Sequence, residues 1–453
     1  MEYLSRILQF STDVLDFKFH SLCGKMRLSH LMFADDLLLF SRGDIDSVMV
    51  LLRSFATFAC SSGLQINKQK SSVYFNGVQR ATRDHIIALS VCVEGTISFK
   101  YLGVPITAGR LTSKDCTILV EKIVEKIRAF GARKLSYAGR LVIVKSVLVS
   151  LYTYWSNIFL IPKCVLRKID NICRNYMWDG TSEYMRSPLV AWQQVYLPKT
   201  EGGLGIRYSQ TWNIATVGKL VWWVYSKPDN LWVKWIHQVY MKGIDWDSYS
   251  PKNHMSGNRK AIYKVRDIFQ PGYSSGTWLA NGGGYTVSSG YEWLRHREQK
   301  VGWAKLLWHK WSLAKHSFHC WLIFKNALNV KDKLFRHGIS PDDICCICHT
   351  AQETVVHLSQ RLSSGWTLVL TGVCMRLRFP VLVGNALIWI GRRRWSDIQK
   401  KTCLCAVMAV YYHIWQQRNN ARLNATLCNP TVVIEQIMRL VQFRVQQFAL
   451  PMM

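Results

Sequence analysis

Residues 30–44 read "HLMFADDLLLFSRGD", and no other stretch restricts the folding of this chain so strongly. Asp35 and Asp36 stand side by side between two short apolar runs, "HLMFA" and "LLLFS". Adjacent carboxylates in an apolar setting repel one another and lose hydration, so the pair is costly unless something cationic offsets it. The two runs predict a strand–turn–strand hairpin with the acids at its tip. Such a tip suits a hard cation such as Mg2+ (or Mn2+), which binds through one or two carboxylates plus a substrate phosphate. An Asp-Asp dipeptide alone is commonly a solvated turn. The flanking strands, which fix the tip against a core, set this one apart.

Around the hairpin the pattern alternates between helix and strand. "EYLSRILQF" and "DSVMVLLRSFATFACSSGL" have helical apolar spacing, the second ending at Gly63, while "SSVYFNG" and "ISFKYLGVPI" read as further strands. From about residue 112 helices dominate. "TSKDCTILVEKIVEKIRAF" starts with a Thr or Ser cap and is stopped by Gly131, and "SYAGRLVIVKSVLVSLYTYW" starts a helix from Ser136. "LPKTEGGLGIRYSQTWN" is a Gly-rich loop among them. The Gly, Ser, Pro and Asn of 243–290 read as a linker or an eroded surface region. The rest is helical, and the fold class is α+β.

The charge balance narrows the partner. With 58 Lys and Arg against 28 Asp and Glu, the net charge is +30, which points to a polyanion, most simply nucleic acid. Nineteen Trp supply core area and stacking faces. The 14 Cys are scattered and no signal peptide precedes them, which predicts a reducing compartment without disulfides, in nucleus or cytoplasm and not secreted. Lys145, Arg376 and Arg378 interrupt the longest apolar stretches, so buried helices rather than membrane spans are expected there, and no membrane partner.

A second cluster lies in "ICCICHTAQETVVHL". Cys345-x-x-Cys348 brings two thiolates to one tetrahedral Zn2+, and His357 offers a third ligand. Cys346 and His349 are conceivable fourth donors, although each adjoins an existing ligand and has a poor bite. Ordinary reduced, partly buried cysteines are the bland alternative. "GRRRWSDIQKK" and "YYHIWQQRNNARLN" read as solvated basic faces.

"FADDLLLFSRGD" resembles the motif that carries the catalytic Asp pair of LINE-type (non-LTR) retrotransposon reverse transcriptases. "SSGLQINKQKS", "FKYLGVPI", "KLSYAGRLVIVKSVL" and "EGGLGIRYSQTWN" resemble the blocks that follow it, in the same order, over roughly 1–240. The resemblance implies a partial palm over 1–108, a helical thumb or connection over 109–242, a linker-like 243–290, a zinc-binding-like region over 291–370 and a basic helical C-terminal region over 371–453. It implies two-metal nucleotidyl transfer from an RNA template and DNA primer, with dNTPs as the small-molecule substrates. Asp35 and Asp36 would be the metal ligands and Lys70 a phosphate contact or proton donor. Arg140 and Lys145 would lie along template–primer phosphates. In the family the first catalytic Asp lies upstream of the pair, and "MEYLSRILQF" resembles the helix just after that block. Asp13 and Asp16 fall where a loop belongs, so the resemblance implies a chain inactive alone. The family's fourth zinc ligand, a Cys, is replaced here by a segment with Arg361 near its place. A non-catalytic nucleic-acid-binding protein or an unselected retroelement remnant are the alternatives. No endonuclease or ribonuclease H constellation is visible.

Overall fold

The computed structural model describes residues 1–14, 16–90, 92–96, 98–107, 109–130, 135–250, 257–273, 279, 283–360 and 383–449. Among the described residues the chain is mostly helical with three small two-stranded sheets, compatible with an α+β reading. It divides into two compact units, each assembled from separated segments. The first comprises Met1–Asp115, Trp155–Pro162 and Asn213–Trp293, the second Cys116–Tyr154, Lys163–Trp212 and Leu294–Met453.

In the first unit two helices, Glu2–Val14 and Ile45–Ser62, make the floor on which the hairpin rests. The longer helix starts where the Asp44 side chain accepts a hydrogen bond from Ser47 N at 3.0 Å, and it stops at Gly63. There φ is 71° and the amide closes onto Ala59 O, a left-handed cap that costs glycine no steric strain. Its buried stripe, Ser47, Val50, Leu51, Ser54 and Phe58, follows helical spacing and meets Leu4, Leu8 and Phe17. This helix also has the length and hydropathy of a membrane span. Onto that core packs one face of the antiparallel pair β1 (His30–Phe33) and β2 (Asp36–Leu39), through Met32, Leu37 and Leu39. Leu8→Ala or Phe58→Ala is expected to lower stability by about 2–5 kcal/mol, read from denaturant midpoints, because each empties a fully enclosed site under the hairpin.

Ser72–Val73 (β3) pairs in parallel with Val93–Glu94 (β4). The run "ISFKYLGVPI" forms not one strand but a tight hairpin, β5 (Ser98–Tyr101) and β6 (Val104–Thr107). Its turn has Leu102 and Gly103 at φ 47° and 80°, the positive angles that a two-residue turn of matching twist requires.

The segment 243–290, expected as linker, contributes to the core. Its helix Gly257–Tyr273 buries Tyr263, Val265 and Phe269, and Trp246 and Tyr249 before it are buried too. Arg266 donates to their carbonyls at 3.0 and 2.8 Å. Composition misled because a few large aromatics, set among many small polar residues, supply the buried area.

The second unit is helical. Thr117–Ala129 buries Leu119, Val120, Ile123 and Ile127 but begins at Cys116 without a side-chain cap, since Thr112 instead bonds Asp115. Gly131 lies outside the described residues. Ser136 does cap its helix, accepting from Gly139 N at 3.3 Å. Tyr137–Ile143 runs on through a π-turn (Val144–Leu148) into Val149–Ser156. The longest helix, Asp397–Asn424, opens with a Ser396–Gln399 capping box. It buries residues 403–411, His413 and Arg418, which corrects the reading of "YYHIWQQRNNARLN" as a solvated face. It also corrects the cysteine reading. Cys403 is disulfide-bonded, whereas the other described cysteines are free.

Asp170 in the helix Lys163–Asp179 is buried, accepts from Ser209 Oγ at 2.7 Å, and is pushed up to about 7 by loss of hydration. An acid whose folded pKa lies above its unfolded value holds its proton longer in the native state. Its stabilising contribution is therefore complete below about pH 4 and is lost as pH rises towards 7. Asp170→Asn is expected to flatten the fall in stability across that window, checked by urea melts at a series of pH values.

Candidate carboxylate hairpin and metal centre

The hairpin places its two acids as its pairing dictates. The register Met32↔Leu37 and Phe33↔Asp36 leaves Ala34 and Asp35 as the two turn residues, with Ala34 at φ 51°. Asp35 and Asp36 are both exposed. Cross-strand pairs share a face, so Asp36 stands with Phe33, opposite the Met32–Leu37–Leu39 face that grips the helices. Phe33 is 61% exposed, so the acid-bearing face near the tip is open. Tyr101 of β5 is close enough that burial and the Asp36 charge together raise its phenol. At the base of the hairpin Ser5 and Ser29 hydroxyls hold the two His30 ring nitrogens at 2.8 and 3.0 Å, and burial lowers that imidazole. Lys18 and Arg42, both exposed and joined by Arg42 N donating to Lys18 O, add cations at the end of β2 remote from the tip. Asp13 is paired with Arg27, away from any carboxylate cluster. Among the described residues no third acid joins Asp35 and Asp36. The tip can offer oxygen donors to a hard cation, with open coordination positions left over.

In the second unit the Sγ atoms of Cys345 and Cys348 and a His357 ring nitrogen lie within 4.8 Å of one another, with Cys348 Sγ 3.3 Å from His357 Nε2. Zinc's bond lengths put tetrahedral sulfur and nitrogen ligands ~3.6 Å apart. The donor set therefore fits zinc with little rearrangement. A short knuckle holds it: Cys345 N donates to Ala351 O, Ile344 bridges Gln352, and Glu353 N donates to Asp343 O. Cys345 is buried and its thiol raised by burial, whereas the hydroxyl and amide of Thr350 hold Cys348 down to about 6, favouring the thiolate that binds metal.

Neither stand-in donor belongs to the cluster. Cys346 Sγ points to Glu353 Oε2 at 3.4 Å, and burial and that carboxylate push its thiol up to about 11. His349 is exposed, at φ 55°. Arg361 and the fourth-ligand position lie outside the described residues.

Glu353 and Arg418 were not singled out by the sequence. They form an ion pair at 2.5 Å with side chains 0% and 1% exposed. The amide of Lys331 donates to Glu353 Oε1 and Arg418 Nη2 donates to Asn329 O, so the pair ties the knuckle to the long helix. An acid between Cys348 and His357 was visible, but its partner 65 residues away was not.

Residues 6–106 match the family described as reverse transcriptase (RNA-dependent DNA polymerase), and residues 285–361 match that described as zinc-binding in reverse transcriptase. The chain carries reverse-transcriptase sequence of the retroelement type. The first match contains the carboxylate hairpin and the second contains Cys345, Cys348 and His357. An Arabidopsis thaliana protein named "Putative ribonuclease H protein" is 29% identical over 182 residues, 40% of this chain; the match spans 29% of that protein's length.

The remaining expected contacts of this reverse-transcriptase sequence have distinct fates. Lys70 is exposed on a 3-10 turn, Lys68–Lys70, outside the core. Arg140 is turned inward: its Nη1 donates to Met177 O at 3.4 Å and Trp178 O at 3.1 Å, and its guanidinium lies 5.5 Å from the Tyr137 ring. Lys145 donates to Leu204 O, and burial together with Lys199 and Arg207 lowers it to about 8. Both side chains close helix and loop ends within the second unit. Carbonyls left at those ends need donors, and long basic side chains reach them.

Proposed function

We propose that the Asp35–Asp36 tip is the metal-binding edge of an RNA-directed DNA polymerase site of the LINE (non-LTR) type, in a palm followed by a helical thumb. The supporting observation is the placement of both acids, exposed and adjacent, on a hairpin gripped by a core inside the matched reverse-transcriptase segment. Mg2+ or Mn2+ bound there would supply Lewis acidity to the 3′-hydroxyl and triphosphate. The chain's own residues hold the carboxylates on the hairpin tip and keep the acid-bearing face open, while exposed cations elsewhere on the chain, Lys18 and Arg42 at the far end of the hairpin and Lys70 on its 3-10 turn, attract phosphates. RNA template, DNA primer and dNTPs are the partners in this reading, and nucleus or cytoplasm is the place.

Two carboxylates without a third give weak metal geometry, so the chain alone is expected to bind nucleic acid and Mn2+ but to extend a primer no better than its Asp35→Asn variant. Mn2+ binding is read by electron paramagnetic resonance and is expected to weaken about tenfold or more in Asp35→Asn/Asp36→Asn. Mn2+ binding indifferent to both substitutions would remove the metal assignment. Primer extension by the wild type that Asp35→Asn abolishes would show that a third carboxylate is not needed. The net charge of +30 separately favours nucleic-acid binding without catalysis, for which a steep salt dependence unaffected by Asp35→Asn is the signature.

A further inference from the structure

We propose that the cavity between the helices Tyr137–Ile143, Ala314–Phe324 and Asp397–Asn424, all within the second unit, receives one unstacked base of a single-stranded nucleic acid. The assignment rests on the nucleic-acid reading of the chain and adds to it a contact with a base.

The cavity measures about 330 Å3, within the range of small-molecule sites. Its walls carry aromatic rings from all three helices, Tyr137 on the first, Phe318 on the second and Tyr412 and Trp415 on the third. Tyr137 stacks on Phe318 at 5.7 Å and 27°, meets Trp178 edge-on at 5.7 Å and has the Arg140 guanidinium 5.5 Å from its ring, yet remains 36% exposed. Stacking on such rings suits any base, since every base has a π-face.

Gln416 and Asn420, one helical turn apart, add two side-chain amides to the lining, and neither has a hydrogen-bond partner among the described residues. Each offers a donor and an acceptor, the combination that the edge of a neutral base presents. An apolar peptide side chain would leave both unmet.

Charge is distributed to match. No Asp or Glu lines the cavity, so no carboxylate there repels a phosphate. His319 in its wall is buried and lowered to about 3 by that burial, and so stays neutral. Exposed Lys315, its Nζ 5.0 Å from the Tyr412 ring centroid, supplies the positive charge for the phosphate attached to the base. Neutral amides and rings for the base, with a cation beside them for the backbone, is the arrangement that unstacked nucleotides require.

The test uses the full chain and two labelled single-stranded RNAs of equal length, one intact and one with abasic sites throughout, followed by fluorescence anisotropy across a salt series. Wild type is expected to bind the intact strand about tenfold more tightly than the abasic strand. Tyr137→Ala should erase that preference while leaving abasic-strand affinity and salt slope unchanged, and Tyr137→Phe should restore it. Gln416→Ala, at an exposed position, should reduce the preference severalfold without touching a ring. A wild type that binds both strands equally overturns the pocket alone and leaves the cavity to a peptide side chain. So does a preference that survives both Tyr137→Ala and Gln416→Ala. A wild type that binds neither strand overturns the nucleic-acid reading and the pocket with it.

Discussion

Chelation of the zinc-loaded chain is expected to lower the thermal midpoint of the second unit, and Cys345→Ser is expected to abolish the difference between loaded and stripped protein. Structural zinc contributes ~10 kcal/mol or more of binding free energy in small zinc folds, all of it available to the folded state. Here the ligands close a knuckle of few residues, from Cys345 to His357, whose ordering otherwise depends on backbone bonds around Ala351 and Gln352. Among the described residues three protein donors are in place, with one coordination position not assigned by them. The effect should therefore fall below that of a four-ligand site while remaining several kcal/mol. Zinc release followed with a chromophoric chelator gives the stoichiometry, and calorimetry with and without chelator gives the stability. Purified chain that carries no zinc, takes none up, and melts identically with chelator would remove the metal from this site.

The Glu353–Arg418 pair is the second large effect. Removing one partner strands the other as an uncompensated charge in a dry environment, which costs about 3–5 kcal/mol. Glu353→Ala and Arg418→Ala should each reach that range in denaturant melts. Replacing both by Met should cost clearly less than the sum, because no buried charge is then left alone. The same substitutions act on the metal centre. Glu353 lies between Cys348 and His357 and holds Cys346 Sγ and the Lys331 amide, so it orients the knuckle without touching the metal. Loss of such an outer support typically weakens metal affinity 10–100-fold, at about the scale a zinc titration resolves. Additive single-mutant costs would show that Glu353 and Arg418 are not coupled, and unaltered zinc affinity in Glu353→Ala would show that the pair and the knuckle are independent.

Much of this was legible along the chain. The hairpin around Asp35 was readable because alternation and a turn are local properties, and the helix ending at Gly63 and the helix starting from Ser136 were readable for the same reason. Cys345, Cys348 and His357 were readable from spacing alone, and the structure brings them together. Other assignments failed where burial is set by distant partners. The helix Gly257–Tyr273 sits in a stretch whose composition resembles a linker, yet Tyr263, Val265 and Phe269 enter a core. Arg418 looked like one more surface cation, and its acid lies 65 residues earlier. Arg140 and Lys145 donate to carbonyls of their own unit, partners that charge and spacing alone do not show.

The sequence by itself determined the candidate groups: an acid pair at a turn, a Cys-x-x-Cys with a following His, and a large positive charge. These depend on bond geometry and period-two or period-3.6 patterning over a few residues. Only the tertiary structure decided which charges face solvent and which are buried in pairs, that Cys346 and His349 stand apart from the metal donors, and that rings from separate helices enclose a cavity. Those outcomes depend on desolvation and on contacts between residues far apart in sequence, and neither leaves a local trace.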